Sequence, residues 1–521
     1  MTRRAGLVLP LFSAPGSSSW GIGEFRDLEA LAGWAVSAGF SRLMMLPVGT
    51  LPHGMSSPYS AMTSMGIDPI YVALDRVDDF QRAGGPDALS ASSRRDLDRA
   101  RRSSRIQYDA IRRVKREALE AAFQQFLDDE WSALTVRAAA LAAYIARERG
   151  WLEDYALYAA LAHATGRGAW RDWPPGVRDR EPGALDEARR HLARDILREQ
   201  YWQWLAESQW HEARRAAHDR GVTIFGDLPF MVAAESADVW ARPGEYRFDV
   251  SLGVPPDDFS DTGQDWHLPT YRWDVIAAGG YAWFEERARR MAALFDGYRV
   301  DHLVGLYRTY GRPVEGRPFF SPATQADQIR QGERMLGILQ ASGASIVAED
   351  LGLVPDFVRE SLAGLGVPGC KVLRWQRRWK SRGQPFIPPA DYPVVSAAMT
   401  GTHDTETNAV WWDAAEPADR AALADMLASI GQAVRAGDAW NADVRDAILR
   451  AVYGAGSAEL FLPMQDVFGW RDRLNTPGTV GDDNWTWRLP WPVDRLEDAP
   501  EAIDRAAFCR RLAADSNRTR R

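Results

Sequence analysis

Three short apolar runs in this chain each end on a carboxylate that stands among other polar groups. They read Gly-Tyr-Arg-Val-Asp-His at 297–302, Ile-Val-Ala-Glu-Asp at 346–350 and Met-Thr-Gly-Thr-His-Asp at 399–404. In a barrel of parallel strands, the carboxyl ends of all strands open onto one face. Three such runs therefore predict a barrel whose mouth gathers the acids Asp301, Glu349 and Asp404.

Further apolar runs along the chain fit the remaining strands of such a barrel. Several are continuous rather than alternating, which is typical of strands buried on both faces. Helical patterns lie between many of them, for example at 27–38, 282–295, 328–340 and 355–363. We therefore predict an α/β fold, a (β/α)8 TIM barrel. The predicted strands are 7–11, 42–46, 222–228, 297–303, 345–351, 371–375, 394–400 and 459–464.

One interval breaks the alternation of strands and helices. Between the second and third predicted strands, residues 75–209 are almost purely helical in pattern; Leu119, Ala122, Phe123 and Phe126 share one helix face. We predict a large α-helical insertion there. The expected domains are 1–74 with barrel strands 1 and 2, 75–209 as the helical subdomain, and 210–521 as the rest of the barrel with its cleft-lining loops. The tail 515–521 is expected to fray.

Charge and cysteine content exclude several classes of protein. A net charge of −8 supplies no basic excess for a general nucleic-acid binder. The two cysteines cannot build a disulfide framework, which favours a reducing, cytoplasmic setting. Pro10 interrupts an N-terminal apolar stretch too short for a signal peptide, and no run is long enough to span a membrane. We expect no nucleic-acid or membrane partner, and either a monomer or a homodimer.

The three acids together suit retaining glycosyl transfer, which needs a nucleophilic carboxylate and a proton-donating carboxyl about 5–5.5 Å apart. Asp301 is the candidate nucleophile, because Arg299, two residues earlier on the strand, points to the same side and can hold its charge. Glu349 is the candidate acid/base, because desolvation and nearby acids would raise its pKa. Asp404, beside His403, would grip sugar hydroxyls. No His-x-x-x-His pair or phosphate-binding glycine loop points to a metal or cofactor.

The motifs that hold these acids resemble those of one family. Arg-Val-Asp-His at 299–302, Ala-Glu-Asp-Leu-Gly at 348–352 and Gly-Thr-His-Asp at 401–404 are similar to the motifs of 4-α-glucanotransferases. This is the amylomaltase or disproportionating-enzyme family, glycoside hydrolase family 77, a branch of the α-amylase superfamily. The resemblance runs nearly end to end. Other matching motifs stand at 21–23, 46–47, 57–59, 151–157, 173–174, 226–229, 236–240, 255–257, 263–266, 368–373, 465–466, 475–478 and 484–488.

The resemblance implies a reaction and a set of residues. It implies disproportionation: a segment of an α-1,4-glucan passes, with retention through a covalent glycosyl-aspartate, to the 4-hydroxyl of glucose or a maltooligosaccharide, without metal or organic cofactor. The family's nucleophile, acid/base and third acid match Asp301, Glu349 and Asp404. Its sugar-contacting positions match Ser57, Tyr59, Asp227, Gln264, Trp266, Arg299, His403 and Asn475.

Some positions depart from the family pattern. Val304 and His267 stand where the family often has Arg and Gly, Thr405-Glu406 replaces more usual residues, and the segment 247–255, expected to form a loop over the acceptor side, is shorter than in many relatives. A shorter loop would open the cleft to water, so an α-1,4-glucan hydrolase on the same barrel is an alternative. A non-catalytic glucan-binding protein is a third, which the three intact acids disfavour.

Overall fold

The centre of the molecule is a closed barrel of eight parallel strands. The computed structural model describes residues 2–52, 54–256, 262–479 and 481–519. Its strands are β1 (Arg4–Val8), β2 (Arg42–Met44), β3 (Thr223–Leu228), β4 (Tyr246–Val254), β5 (Gln264–Tyr271), β6 (Gly297–Val300), β7 (Thr309–Pro313), β8 (Phe319–Ser321), β9 (Ser345–Ala348), β10 (Gly369–Val372), β11 (Ser396–Met399) and β12 (Glu459–Pro463). The barrel order is β1-β12-β11-β10-β9-β6-β3-β2, and each predicted strand overlaps one of these eight. The predicted (β/α)8 fold is confirmed.

Helices surround the barrel. No helix in the described part of the chain is both long enough and apolar enough to cross a membrane. The helices are α1 (Asp27–Ser37), α2 (Asp78–Arg82), α3 (Ala91–Arg102), α4 (Tyr108–Phe126), α5 (Val136–Thr165), α6 (Pro175–Arg178), α7 (Pro182–His191), α8 (Ala193–Asp219), α9 (Ala237–Ala241), α10 (Trp273–Ala278), α11 (Ala282–Leu294), α12 (Val304–Tyr307), α13 (Gln325–Ala341), α14 (Asp356–Gly364), α15 (Asn408–Ala414), α16 (Pro417–Ser429), α17 (Ala442–Tyr453), α18 (Met464–Phe468) and α19 (Pro500–Asp515).

Side chains from most of the strands fill the barrel interior. Two glycines leave room for the largest of them: a Cβ on Gly6 would lie 2.6 Å from the ring of Phe461, and one on Gly297 would lie 2.5 Å from the ring of Phe225. Alternate residues of a strand share a face, so Arg299 lies on the same inner side of β6 as Gly297, nearer the mouth of the barrel. The interior cluster consists of Val8, Met44, Phe225, Val347, Cys370, Val372, Ala397, Met399 and Phe461.

The helical insertion predicted between the second and third barrel strands is present as α2 to α8. The N-cap of its longest helix, α5, is Thr135, whose side chain accepts from the Ala138 amide. The C-cap is Gly166, whose φ of 62° is a left-handed conformation that glycine favours. Helix α8 continues to Asp219, past residue 209, and packs against both α1 and β3. The division into 1–74, 75–209 and 210–521 stays a prediction.

A second sheet lies outside the barrel, with the strand order β5-β4-β7-β8. The prediction of a loop at 247–255 was wrong, because β4 covers Tyr246–Val254 and pairs antiparallel with both β5 and β7. The pairing with β5 shifts register twice, which breaks the alternating pattern that would reveal a strand. Asp257, the last residue of the 255–257 motif, lies outside the described residues.

The C-terminal tail is held in place as far as it is described. Arg518 is fully buried, and its guanidinium donates to the carbonyls of Arg4, Ala455, Ser457 and others beside the seam of β1 and β12. The expectation that the tail would fray from residue 515 was therefore wrong at Arg518. A buried guanidinium whose donors meet several carbonyls orders the chain around it.

Candidate active site

The predicted acids stand at the carboxyl ends of barrel strands. Asp301 comes one residue after β6, Glu349 one residue after β9, and Asp404 five residues after β11. Parallel ladder bonds continue past the strand ends: the Asp301 amide donates to the Leu228 carbonyl (3.0 Å), and the Glu349 amide to the Val300 carbonyl (3.1 Å). These bonds fix the backbone that carries Asp301 and Glu349 to neighbouring strands of the barrel.

Arg299 ties two of the carboxylates together. Its guanidinium lies 2.6 Å from Asp227 Oδ2 and 2.9 Å from Asp301 Oδ1. Burial alone would lower the pKa of Arg299, but Asp227 and Asp301 raise it well above its ordinary value. The Asp301 side chain is 25% exposed, whereas that of Asp227 is 1% exposed. Asp301 is therefore open to a ligand, while Asp227 supports Arg299 from below.

A chain of polar contacts connects Asp227 to Asp404. The Tyr59 hydroxyl donates to Asp227 Oδ2 (2.8 Å) and lies 2.9 Å from His403 Nε2. His403 Nε2 is 3.3 Å from Asp404 Oδ2, and the Asn475 amide donates to Asp404 Oδ1 (2.6 Å). Because the tyrosine proton goes to Asp227, His403 presents an N–H to the Tyr59 oxygen.

The same contacts set the pKa values at this end of the site. Burial disfavours the charge on Asp404, but His403 and Asn475 outweigh it and hold the pKa of Asp404 well below its usual range. Burial would lower the pKa of His403, yet Asp404 raises it above its ordinary value. Asp404 and His403 therefore form an ion pair beside the ring of Tyr59, which stacks on His403 with centroids 5.3 Å apart.

Glu349 has a different environment. Burial raises its pKa to about 7, with Arg299 opposing and Asp301 adding to the rise. Its Oε2 accepts from the His302 amide (2.8 Å) and its Oε1 from the Leu351 amide (3.3 Å). A carboxyl with this pKa keeps its proton up to about neutral pH and can give it up there, as a general acid must.

The hairpin of β4 and β5 brings two more predicted residues to the site. The Trp266 ring meets the ring of His302 edge to face, with centroids 4.8 Å apart, and its Nε1 donates to Gln264 Oε1 (3.1 Å). His267 is exposed and has φ 55°, a left-handed conformation that favours glycine, the residue common there in the family. Its amide donates to Asp265 Oδ1 (2.9 Å).

Ser57 and Val304 are less closely connected to the three acids. Ser57 precedes Tyr59 in the same loop, and its carbonyl accepts from the Ser60 amide (3.1 Å). No hydrogen bond joins its side chain to the acid cluster in the described ranges. Val304 begins α12 and packs against the core.

Sequence reasoning missed three residues of the site. His302, Phe230 and Trp485 were not assigned to it, although His302 directly follows Asp301 and Trp485 lies in the quoted motif at 484–488. The Phe230 ring lies 5.7 Å from the His302 ring, and the Trp485 ring 5.9 Å from that of Tyr59. The Tyr108 hydroxyl of α4 donates to the Trp485 carbonyl (3.0 Å), so the helical insertion helps to hold Trp485 in place.

Within the described ranges, no group of three or more His, Cys, Asp and Glu side chains could hold a metal ion.

The family described as 4-alpha-glucanotransferase matches residues 9–494 of the chain. The chain belongs to the 4-alpha-glucanotransferase family. The match covers seven of the eight barrel strands, the helical insertion and the segments that carry all predicted site residues, and only β1 precedes it.

Individual members of the 4-alpha-glucanotransferase family agree over nearly the full length. The 4-alpha-glucanotransferase of Thermus thermophilus is 32% identical over 97% of this chain and 99% of its own. That of Chlamydia pneumoniae is 29% identical over 94% of this chain and 92% of its own. The structure of the amylomaltase from Streptococcus agalactiae in complex with acarbose matches with a TM-score of 0.82 at 25% identity, over 99% of this chain and 100% of that one.

Proposed function

We propose that the chain transfers segments of α-1,4-glucans between sugars by a retaining mechanism, with Asp301 as nucleophile and Glu349 as acid/base. The observation that carries this assignment is the contrast between the two acids. Asp301 is partly exposed and ion-paired with Arg299, whereas burial raises the pKa of Glu349 to about 7. A charged nucleophile beside a neutral proton donor is what the first chemical step requires.

In the first step, an Asp301 oxygen attacks C1 of the donor sugar as the bond from C1 to the bridging oxygen breaks. Arg299 holds Oδ1, which leaves Oδ2 to attack. Glu349 gives its proton to the departing oxygen, so the shortened glucan leaves as a neutral alcohol. The products are a glycosyl ester on Asp301 and an ionised Glu349.

In the second step, the 4-hydroxyl of glucose or a maltooligosaccharide replaces the departed fragment. Glu349 takes the hydroxyl proton, the acceptor oxygen attacks C1, and Asp301 is released. Two inversions give net retention. Glu349 ends the cycle protonated, as it began.

The polar chain on the other side of the site suits sugar binding during both steps. The ionised Asp404 is 44% exposed and can accept from donor hydroxyls, with His403 and Asn475 holding it in place. Tyr59 and Trp266 offer flat apolar faces on which a sugar ring can rest. Asp227 is too buried to be a direct contact in this conformation, and its bonds favour a role in orienting Tyr59 and Arg299.

The test is incubation of the purified protein with maltotriose, followed by chromatography of the products over time. We expect glucose together with a ladder of longer maltooligosaccharides, at constant total reducing ends, and at least a 10³-fold slower reaction for Asp301→Asn, roughly the effect of losing a nucleophile. Shorter sugars alone, with rising reducing ends, would favour the hydrolase. An equally active Asp301→Asn variant would contradict the assignment of the nucleophile.

A further inference from the structure

His302 directly follows the proposed nucleophile but faces the proposed acid. Its amide donates to Glu349 Oε2 at 2.8 Å. The next amide in the chain, that of Leu303, donates to the Glu349 carbonyl at 3.3 Å, and the Glu349 amide donates in turn to the Val300 carbonyl. The main chain at 300–303 therefore forms hydrogen bonds with the backbone amide, the backbone carbonyl and the side chain of Glu349.

The backbone at His302 is in an uncommon conformation. His302 has φ 42°, and Leu303 after it is right-handed with φ −54° and ψ −32°. Non-glycine residues seldom adopt a positive φ, and side chains branched at Cβ resist it most. A left-handed residue next to a right-handed one turns successive amides toward the same side of the chain. Here both amides meet Glu349, that of His302 at Oε2 and that of Leu303 at the backbone carbonyl.

The ring of His302 is fixed on two sides. It meets Trp266 at 4.8 Å and Phe230 at 5.7 Å between centroids. Burial lowers the pKa of His302 to about 4, so the ring is neutral at physiological pH and adds no charge beside Glu349. These contacts hold the left-handed residue against its intrinsic preference.

We propose that His302 is a positioning residue for Glu349, acting through its main-chain amide, and that it selects the oxygen that carries the catalytic proton. The inference rests on the proposed function of Glu349. An oxygen that accepts the 2.8 Å bond from His302 serves as the carbonyl-type oxygen of the protonated acid. Oε1 accepts only the longer, 3.3 Å bond from the Leu351 amide, so the proton resides on Oε1 and is delivered from there to the leaving oxygen.

The experiment compares His302→Val, whose branched side chain disfavours the left-handed backbone, with His302→Asn, which tolerates it. Leu134→Val is the matched control: Leu134 also has a positive φ, 53°, but is 85% exposed in the turn between α4 and α5. Each variant is assayed by kcat/KM on maltotriose, whose leaving oxygen needs a proton, and on α-maltosyl fluoride, whose fluoride leaves without one.

For His302→Val we expect a 30- to 100-fold loss on maltotriose and less than a 5-fold loss on the fluoride. Its pH profile on maltotriose should extend to higher pH, because losing the amide donor destabilises ionised Glu349. His302→Asn should recover most of the maltotriose rate, and Leu134→Val should match the wild type on both substrates.

Equal losses of His302→Val on the two substrates, or an asparagine variant as impaired as valine, would overturn the proposal. The first result would mean general disruption of the site, and the second would assign the effect to the imidazole ring. Failure of the wild-type protein to form the maltotriose ladder is a separate result, which would contradict the proposed function itself.

Discussion

A side chain that is reactive at this site can lower the stability of the folded protein, and Glu349 is the clearest case. Because its pKa is raised, ionising Glu349 costs more free energy in the folded protein than in the unfolded chain. Below pH 4.5 both states hold the proton and nothing is lost. Between 4.5 and about 7 the unfolded state ionises first, so stability falls, and above 7 the full cost remains.

Glu349→Gln should therefore be more stable than the wild type at pH 8 and indistinguishable from it at pH 4. We expect a gain on the order of 1–3 kcal/mol, or about 1–3 °C in melting temperature for a chain of this length. Thermal melts of both proteins at the two pH values measure it. Glu360→Gln, at an exposed carboxylate of α14, is the control. A gain of equal size at both pH values would mean that side-chain packing, and not charge, is responsible.

At the scale of elements, the β4–β5 hairpin is the part of the structure that most affects the choice of acceptor. Trp266 reaches from β5 to His302, beside the proposed acid, and offers an aromatic face where an acceptor sugar would rest. Water needs no such platform. Trp266→Ala should therefore raise the ratio of hydrolysis to transfer about 10-fold, equivalent to ~1.4 kcal/mol of acceptor binding.

The measurement is total reducing ends against ladder formation from maltotriose. Phe248→Ala is the matched control, because Phe248 lies on β4 of the same hairpin but packs against Trp170. An unchanged ratio in Trp266→Ala would place the acceptor platform elsewhere, and an equal change in Phe248→Ala would mean that the whole hairpin had moved.

Elements also decide how much the sequence could predict. Barrel strands were visible because continuous apolar runs mark strands buried on both faces, and their order placed Asp301 and Glu349 at one mouth. The outer sheet was not visible, since β4 pairs with β5 through two register shifts and Pro269 interrupts the pattern of β5. The grip of His302 on Glu349 depends on a backbone angle that no residue pattern specifies.

The whole molecule depends on closing the barrel, and the seam between β1 and β12 joins segments more than 450 residues apart in the chain. Beside this seam lies Arg518, whose buried guanidinium bridges the carbonyls of Arg4 at the start of β1, Tyr453 at the end of α17 and Ser457 just before β12. Burial lowers its pKa to about 10, so the charge persists at neutral pH and each bond is charge-assisted.

Arg518→Ala should destabilise the entire protein, because it leaves several buried carbonyls without a donor at the point where the two ends of the barrel meet. Each charged hydrogen bond contributes about 1.5–3 kcal/mol, so we expect a loss of at least 3 kcal/mol and a lower midpoint in urea unfolding. Transfer activity per folded molecule should not change, since Arg518 contacts the amino ends of β1 and β12, opposite the end that carries the acids. Arg511→Ala, an exposed arginine of α19, is the control. If Arg518→Ala unfolds at the wild-type urea concentration, pairing between β1 and β12 closes the barrel without the tail.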